Sequence, residues 1–248
     1  MRREMNTYLP FRAYHWTEKE RTMKTQYYTA SSLDGFIATG DHSLEWLFPL
    51  VELESTSYPT FISEVGALAM GSSTYEWLLR HVVKLGTSDE SAWLYSQPAW
   101  VFSRRNLPMP AKADIRFVHG DVQPIHTEMK AVAGAKNIWI VGGGDLAGQF
   151  FDAGLLDELI IQIGSVTLGS GKPLFPRSVL SPTLRLHSVQ HYGDGMVELR
   201  YYVNKHDQQN SSKGLRYRLV GVCAFSGSFR GLEWVPLKWR HLVPPTSG

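Results

Sequence analysis

The chain has 248 residues, 43% hydrophobic and 12% aromatic, which suffices to bury one full-sized core and allows at most two domains. Its formal net charge of +2 hides a split: residues 23–205 carry 14 Lys and Arg against 18 Asp and Glu, and the positive excess sits in segments 1–22 and 206–248, so the body is acidic and nucleic acid is excluded as an expected partner. The one cysteine, Cys223, rules out an intrachain disulfide and a Cys-based zinc site, and no apolar run approaches the roughly 20 residues of a bilayer span, so a cytoplasmic protein with no membrane partner is expected.

Residues 1–22 show no periodicity, and their charges are scattered where a signal peptide would be apolar. They read as an N-terminal extension outside the core, with Met23 as the natural start. A β-rich run over 25–31 opens the domain. The pattern then predicts a helix near 59–65, a strand over 67–70 and a helix over 73–79. Strands over 99–102 and 115–118 follow, then a helix over 124–133, a strand over 137–141, a helix over 145–153 and a long strand over 158–164. Two last runs, 184–191 and 196–203, flank Tyr192-Gly193-Asp194-Gly195 and read as a hairpin. This β and α alternation predicts an α/β domain over 23–205, with a mostly parallel central sheet, helices on both faces and a C-terminal antiparallel hairpin. Beyond it, 206–248 mixes Gly, Pro and isolated Trp without period and reads as an irregular or disordered tail.

Two strand-to-helix junctions and one further strand end carry candidate chemistry. Val141-Gly142-Gly143-Gly144-Asp145-Leu146 follows a buried strand and opens an amphipathic helix. Glycines let backbone approach a ligand, and free N–H groups at a helix start favour an anion; a tight connection with no ligand would look the same. Gly71-Ser72-Ser73-Thr74 stands at another helix start, where the hydroxyls either face a ligand or cap the helix. Ser103-Arg104-Arg105 follows a strand end, and its arginines either grip a phosphate or lie solvated. The three recur at the same ends of strands in one sheet, where α/β ligand sites form.

Read together, these blocks resemble the dihydrofolate reductase and riboflavin-pathway reductase superfamily. The likeness runs through Ser31-Ser32-Leu33-Asp34-Gly35-Phe36-Ile37-Ala38, the two glycine junctions, Leu155-Leu156-Asp157-Glu158-Leu159 and Leu168-Gly169-Ser170-Gly171-Lys172-Pro173-Leu174-Phe175. It implies a dihydrofolate-reductase-like fold and an NADPH-dependent reductase acting on a small molecule, and it is compatible with a homodimer. By that resemblance Ala30 and Ile37 would meet the nicotinamide end. Gly71, Ser72, Ser73 and Thr74 would hold the pyrophosphate, and Ser103, Arg104 and Arg105 the adenosine 2′-phosphate. Val141, Gly142, Gly143, Gly144, Asp145 and Leu146 would line the pyrophosphate and nicotinamide side. An unusual Gly-Gly bond is implied at Gly143, of which a cis bond is one form. Glu45, beside the substrate-side Trp46, falls where the family often has an acid. Asp34 belongs to the family motif and is the second catalytic candidate, although Asp before Gly is also a common turn-former.

The chain also departs from the family. Ser72-Ser73 replace the Arg-Lys pair of dihydrofolate reductases, and no L-P-G-R segment follows. Val141 stands where riboflavin-pathway reductases have an acidic residue, and His126-Thr127-Glu128 lacks the C-x-x-C of a deaminase. The expected function is therefore hydride transfer to a small heterocyclic or conjugated acceptor with no metal. The alternative is a non-catalytic nucleotide-binding or assembly domain that retains the fold.

Overall fold

The computed structural model describes residues 22–205, so the expectations for the rest of the extension and for the tail lie outside the described residues. Ten strands and four α-helices follow in chain order: β1 (Thr25–Ser32), β2 (Phe36–Ala38), α1 (Tyr58–Ser63), β3 (Val65–Gly71), α2 (Ser72–Leu78), β4 (Ala99–Phe102), β5 (Ile115–Val118), α3 (Val122–Ala133), β6 (Asn137–Val141), α4 (Gly144–Asp152), β7 (Glu158–Gly164), β8 (Lys172–Pro173), β9 (Leu184–Tyr192) and β10 (Met196–Val203).

Eight strands form one sheet in the order β5-β4-β3-β6-β1-β7-β10-β9. The six from β5 to β7 are parallel, while β10 runs antiparallel to both β7 and β9. The expected mostly parallel sheet with its antiparallel C-terminal hairpin is therefore the observed architecture of this α/β fold. Strands such as Asn-Ile-Trp-Ile-Val and Val-Gly-Ala-Leu-Ala-Met-Gly are apolar without alternation because helices cover both faces of the parallel part. One face packs Tyr27, Ile138 and Ile140 against Met129 of α3 and Phe150 of α4. The other packs Tyr28, Met70 and Trp139 against Phe61 of α1 and Tyr75 of α2. Each of these large side chains contributes about 1.5–3 kcal/mol by leaving water.

Local signals explain the element ends. Asp121 caps α3 by accepting the Gln123 N–H at 2.9 Å. The helix expected over 59–65 stops at Ser63, because Val65 is fully buried as the first residue of β3. After α2 the chain continues as a π-helical turn over Leu79–Val83, which Lys84 ends in the left-handed conformation with φ of 53°. The sequence pattern does not show the two-stranded pairing of β2 with β8, Phe36 opposite Pro173 and Ala38 opposite Lys172. Runs of three and two residues, one of them ending in proline, are too short to display a period.

Candidate active site

Thr29 of β1, the β2 and β8 pair, the turn after β6 and the starts of α2 and α4 line a cavity of about 340 Å³. Of the residues expected there, Ile37, Ser73, Thr74, Gly142, Gly143, Gly144 and Asp145 line it. Two sequence-distant junctions are thus brought together. The contact between them is close: a Cβ on Gly142 would lie 3.0 Å from Thr74 Oγ1.

The backbone at the junction is specific to glycine. Gly142 and Gly143 are both left-handed, with φ of 56° and 62°, a conformation that costs other residues about 1–2 kcal/mol. The cis form of the Gly-Gly bond is not observed: among the described residues the single cis peptide precedes Pro182, and successive left-handed glycines make the turn instead. The first helical bond of α4 runs from Ala147 N–H to Gly143 O at 3.1 Å, and no side chain caps the helix. The N–H groups of Gly144 and Asp145 therefore precede the helical ladder at the cavity wall, where they favour negative charge. No hydroxyl caps α2 either, so of the two readings of its serines and threonine the capping one is not realised.

Other expected residues lie elsewhere. Val141 and Leu146 are core residues, and Ala30, Gly71 and Ser72 do not line the cavity; on β1 its neighbour Thr29 does. Ser103, Arg104 and Arg105 stand beyond the end of β4 and outside the cavity, with Arg105 donating to both carboxylate oxygens of Glu76 at 2.9 and 2.6 Å. The Asp34 carboxylate accepts the Ser32 hydroxyl at 2.5 Å, the Leu168 N–H at 3.1 Å and the Gly169 N–H at 2.7 Å. These donors, the Ser32 hydroxyl foremost, hold its pKa below the ordinary carboxylate value, so it stays ionised as a loop clamp away from the cavity. Glu45 is exposed and borders a second groove outside the cavity. Trp46 packs over Gly164 at the end of β7, its ring edge 3.2 Å from where a Cβ there would stand. Neither assigned acid therefore lines the cavity.

The cavity also holds residues to which the sequence reading gave no individual role: Ala38, His42 and Leu44, within the 34–46 segment expected to wall the pocket, and Thr29, Trp77, Lys172, Pro173 and Pro176 outside it. Trp77 follows Thr74 by three positions and so shares its helical face, a signal available from the helix assignment. Lys172 and Pro173 lie within the quoted Gly-Ser-Gly-Lys-Pro run. His42, in a short loop, had no periodic signal. Among the described residues no helix is long and apolar enough to cross a membrane, and no cluster of three or more His, Cys, Asp or Glu side chains is arranged to hold a metal.

Residues 24–198 match the model of the RibD C-terminal domain. The chain belongs to that family. It is 30% identical over 178 residues to the uncharacterised protein YwjB of Bacillus subtilis, a match spanning 72% of this chain and 97% of YwjB. A second Bacillus subtilis protein, YyaP, is 26% identical over 179 residues, covering 71% of this chain and 92% of YyaP. Among solved structures, a putative riboflavin biosynthesis protein from Shewanella sp. PV-4 superposes with a TM-score of 0.62 at 25% identity, over 73% of this chain and 99% of that one. RibD of Acinetobacter baumannii shares the fold, with a TM-score of 0.53 at 17% identity over 74% of this chain and 58% of that one. The chain is thus a RibD C-terminal-domain protein with a reductase-type fold.

Proposed function

We propose that this RibD C-terminal-domain protein is an NADPH-dependent reductase that transfers hydride to a small heterocyclic or conjugated acceptor. The observation that carries the reading is the convergence of Ser73 and Thr74 with the left-handed Gly142-Gly143 turn around one cavity. The residues fit the cofactor. The space beside Gly143 is open, with no atom closer than 3.9 Å to where a Cβ would stand, and the uncapped N–H groups of Gly144 and Asp145 suit a pyrophosphate. A cavity of about 340 Å³ suits the nicotinamide riboside end, with the remaining nucleotide running towards Arg104.

The bound dinucleotide supplies the hydride, and the protein supplies position, dryness and a proton. Apolar Ile37, Ala38, Leu44, Pro173 and Pro176 exclude water around the acceptor. A cytoplasmic homodimer acting on a small molecule, without nucleic acid or membrane, completes the proposal. Fluorescence titration of the full chain with NADPH tests it: binding, followed by NADPH oxidation with a pterin, pyrimidine or flavin-like acceptor, supports the reading, whereas failure to bind points to the non-catalytic alternative.

A further inference from the structure

Reduction of a polar double bond consumes a proton as well as a hydride, and neither expected acid reaches the cavity. The titratable groups that do reach it are His42, Asp145 and Lys172. Asp145 is turned to solvent, its side chain 70% exposed, and its oxygens accept from Gln149 at 2.9 Å and Arg177 at 3.2 Å. A lysine ammonium is in general a far weaker acid than a histidine imidazolium. An adjoining groove of about 550 Å³ shares His42, Leu44 and Trp77 with the cavity and also holds Asp41, Glu45 and His81. His42 is therefore the one titratable residue common to the two linings.

The loop that presents His42 is built for that placement. His42 is left-handed, with φ of 69°, a conformation uncommon outside glycine that asparagine, aspartate and histidine adopt more readily than other residues. Hydrogen bonds hold it there: His42 N–H donates to Thr39 O at 3.0 Å, Ser43 N–H to Thr39 Oγ1 at 2.9 Å, and Thr39 N–H to Ser43 O at 3.2 Å. The Thr39 hydroxyl in turn donates to the Asp41 carboxylate. A backbone kept in a sparsely populated region by a surrounding network is a recurrent mark of a working position.

We infer that His42 is the proton donor of the reaction and relays protons from the outer groove into the cavity, an assignment that rests on the NADPH reading above. As the acceptor carbon receives hydride from the reduced nicotinamide, the double-bond electron pair moves to the neighbouring heteroatom, which takes the ring proton of the His42 imidazolium. The neutral imidazole regains a proton from water in the outer groove. NADPH, one proton and the acceptor are consumed, and NADP⁺ and the reduced acceptor are formed.

The test needs no known acceptor. A protonated His42 beside the nicotinamide repels the cationic ring of NADP⁺ and not the neutral ring of NADPH, while the 2′-phosphate titrates alike in both. The ratio of the NADP⁺ to the NADPH dissociation constant, measured by fluorescence on the full chain, should rise about tenfold from pH 8 to pH 5.5, the effect of a unit charge some 6 Å away in a partly wetted site. His42→Asn, chosen because asparagine tolerates the left-handed backbone, should abolish the rise. Of the titratable groups that share a lining with His42, Asp41 and Glu45 from its own loop and His81, Lys172 and Asp145 from the surrounding elements, only His81 is a second imidazole, and His81→Gln should keep the rise. A pH-independent ratio, or a rise that survives His42→Asn, overturns the assignment while leaving NADPH binding intact. Failure of the wild-type chain to bind NADPH removes both readings.

Discussion

Arg105 and Glu76 meet fork to fork, with two hydrogen bonds of 2.9 and 2.6 Å between β4's trailing loop and α2. The side chains are 58% and 31% exposed, so solvent screens the pair and it adds little to stability. Its electrostatic effect is larger, because a guanidinium matched to a carboxylate has little attraction left for a phosphate. Arg104, without a hydrogen-bonding or ionic partner among the described residues, is the free cation of the two.

NADPH should therefore bind more tightly than NADH, and the preference should rest mainly on Arg104. Arg104→Ala should narrow it by about tenfold or more, since a charge-assisted bond is worth about 1.5–3 kcal/mol. Arg105→Ala should narrow it less, and Glu76→Gln should strengthen NADPH binding by releasing Arg105. Parallel titrations with both cofactors decide the matter. A preference unchanged in the Arg104→Ala, Arg105→Ala double variant takes both arginines out of the site.

Neighbouring glycines should separate binding from folding. Gly143→Ala places a methyl group in open space but on a left-handed backbone, so a loss of about 1–2 kcal/mol in stability should accompany at least a tenfold loss of NADPH affinity. At Gly144 a Cβ would stand 2.1 Å from Leu174 O and 2.6 Å from Pro173 O, so alanine there must push α4 from the β8 segment. Gly144→Ala should unfold at a markedly lower temperature. Thermal unfolding and cofactor titration on the same samples check both, and a Gly143→Ala protein that binds normally would reduce the turn to a plain connection.

Asp34 should act through stability and not through proton transfer. Its pKa is lowered in the folded state, so its contribution is fully present above the unfolded carboxylate pKa and is lost as pH falls through the folded value. Asp34→Asn should lower the thermal midpoint at neutral pH, and the difference from wild type should shrink on acidification. A difference that stays constant down to pH 2 would show that the carboxylate charge is not what holds the loop.

A chain of residues 23–205 should fold with an unchanged thermal midpoint. Both of its ends are tied into the sheet: Lys24 N–H donates to Asn137 Oδ1 at 3.0 Å, and Lys205 pairs with Asp157 at 2.6 Å. A fall of many degrees, read by circular dichroism, would place part of the core beyond these limits.

β4, β6 and β7 were legible because burial on both faces leaves an apolar signature, and β5 and β10, only partly buried, through their β-branched and aromatic residues; all five fall at the bounds that their runs suggest. The glycine junctions were legible for a related reason, since few other residues tolerate those backbone angles. What the pattern hid depends on contacts between distant segments. The β2 and β8 pairing joins residues more than 130 positions apart, and the Glu76 carboxylate that occupies Arg105 lies 29 positions upstream of it. His42 owes its place to a hydrogen-bonded loop of polar residues, a type of sequence that reads as surface. Asp34 and Glu45 were assigned by the family resemblance, and a matching position in the sequence does not say where a carboxylate points.

The clasp between β2 and β8 has a consequence for how such a protein diversifies. Ile37 and Ala38 on one side and Lys172 and Pro173 on the other line the cavity and are pinned to each other, so this wall is fixed to the frame that carries the glycine turn. The segment that leaves β2 after Ala38, by contrast, runs outward through Thr39–Ser43 to Phe48 and borders the open groove without entering any strand. Grafting a different length or composition between Ala38 and α1 would reshape the mouth that greets an incoming molecule while the dinucleotide side keeps its form. On the NADPH reading, substrate range and cofactor grip would in this sense be separately heritable traits of one scaffold.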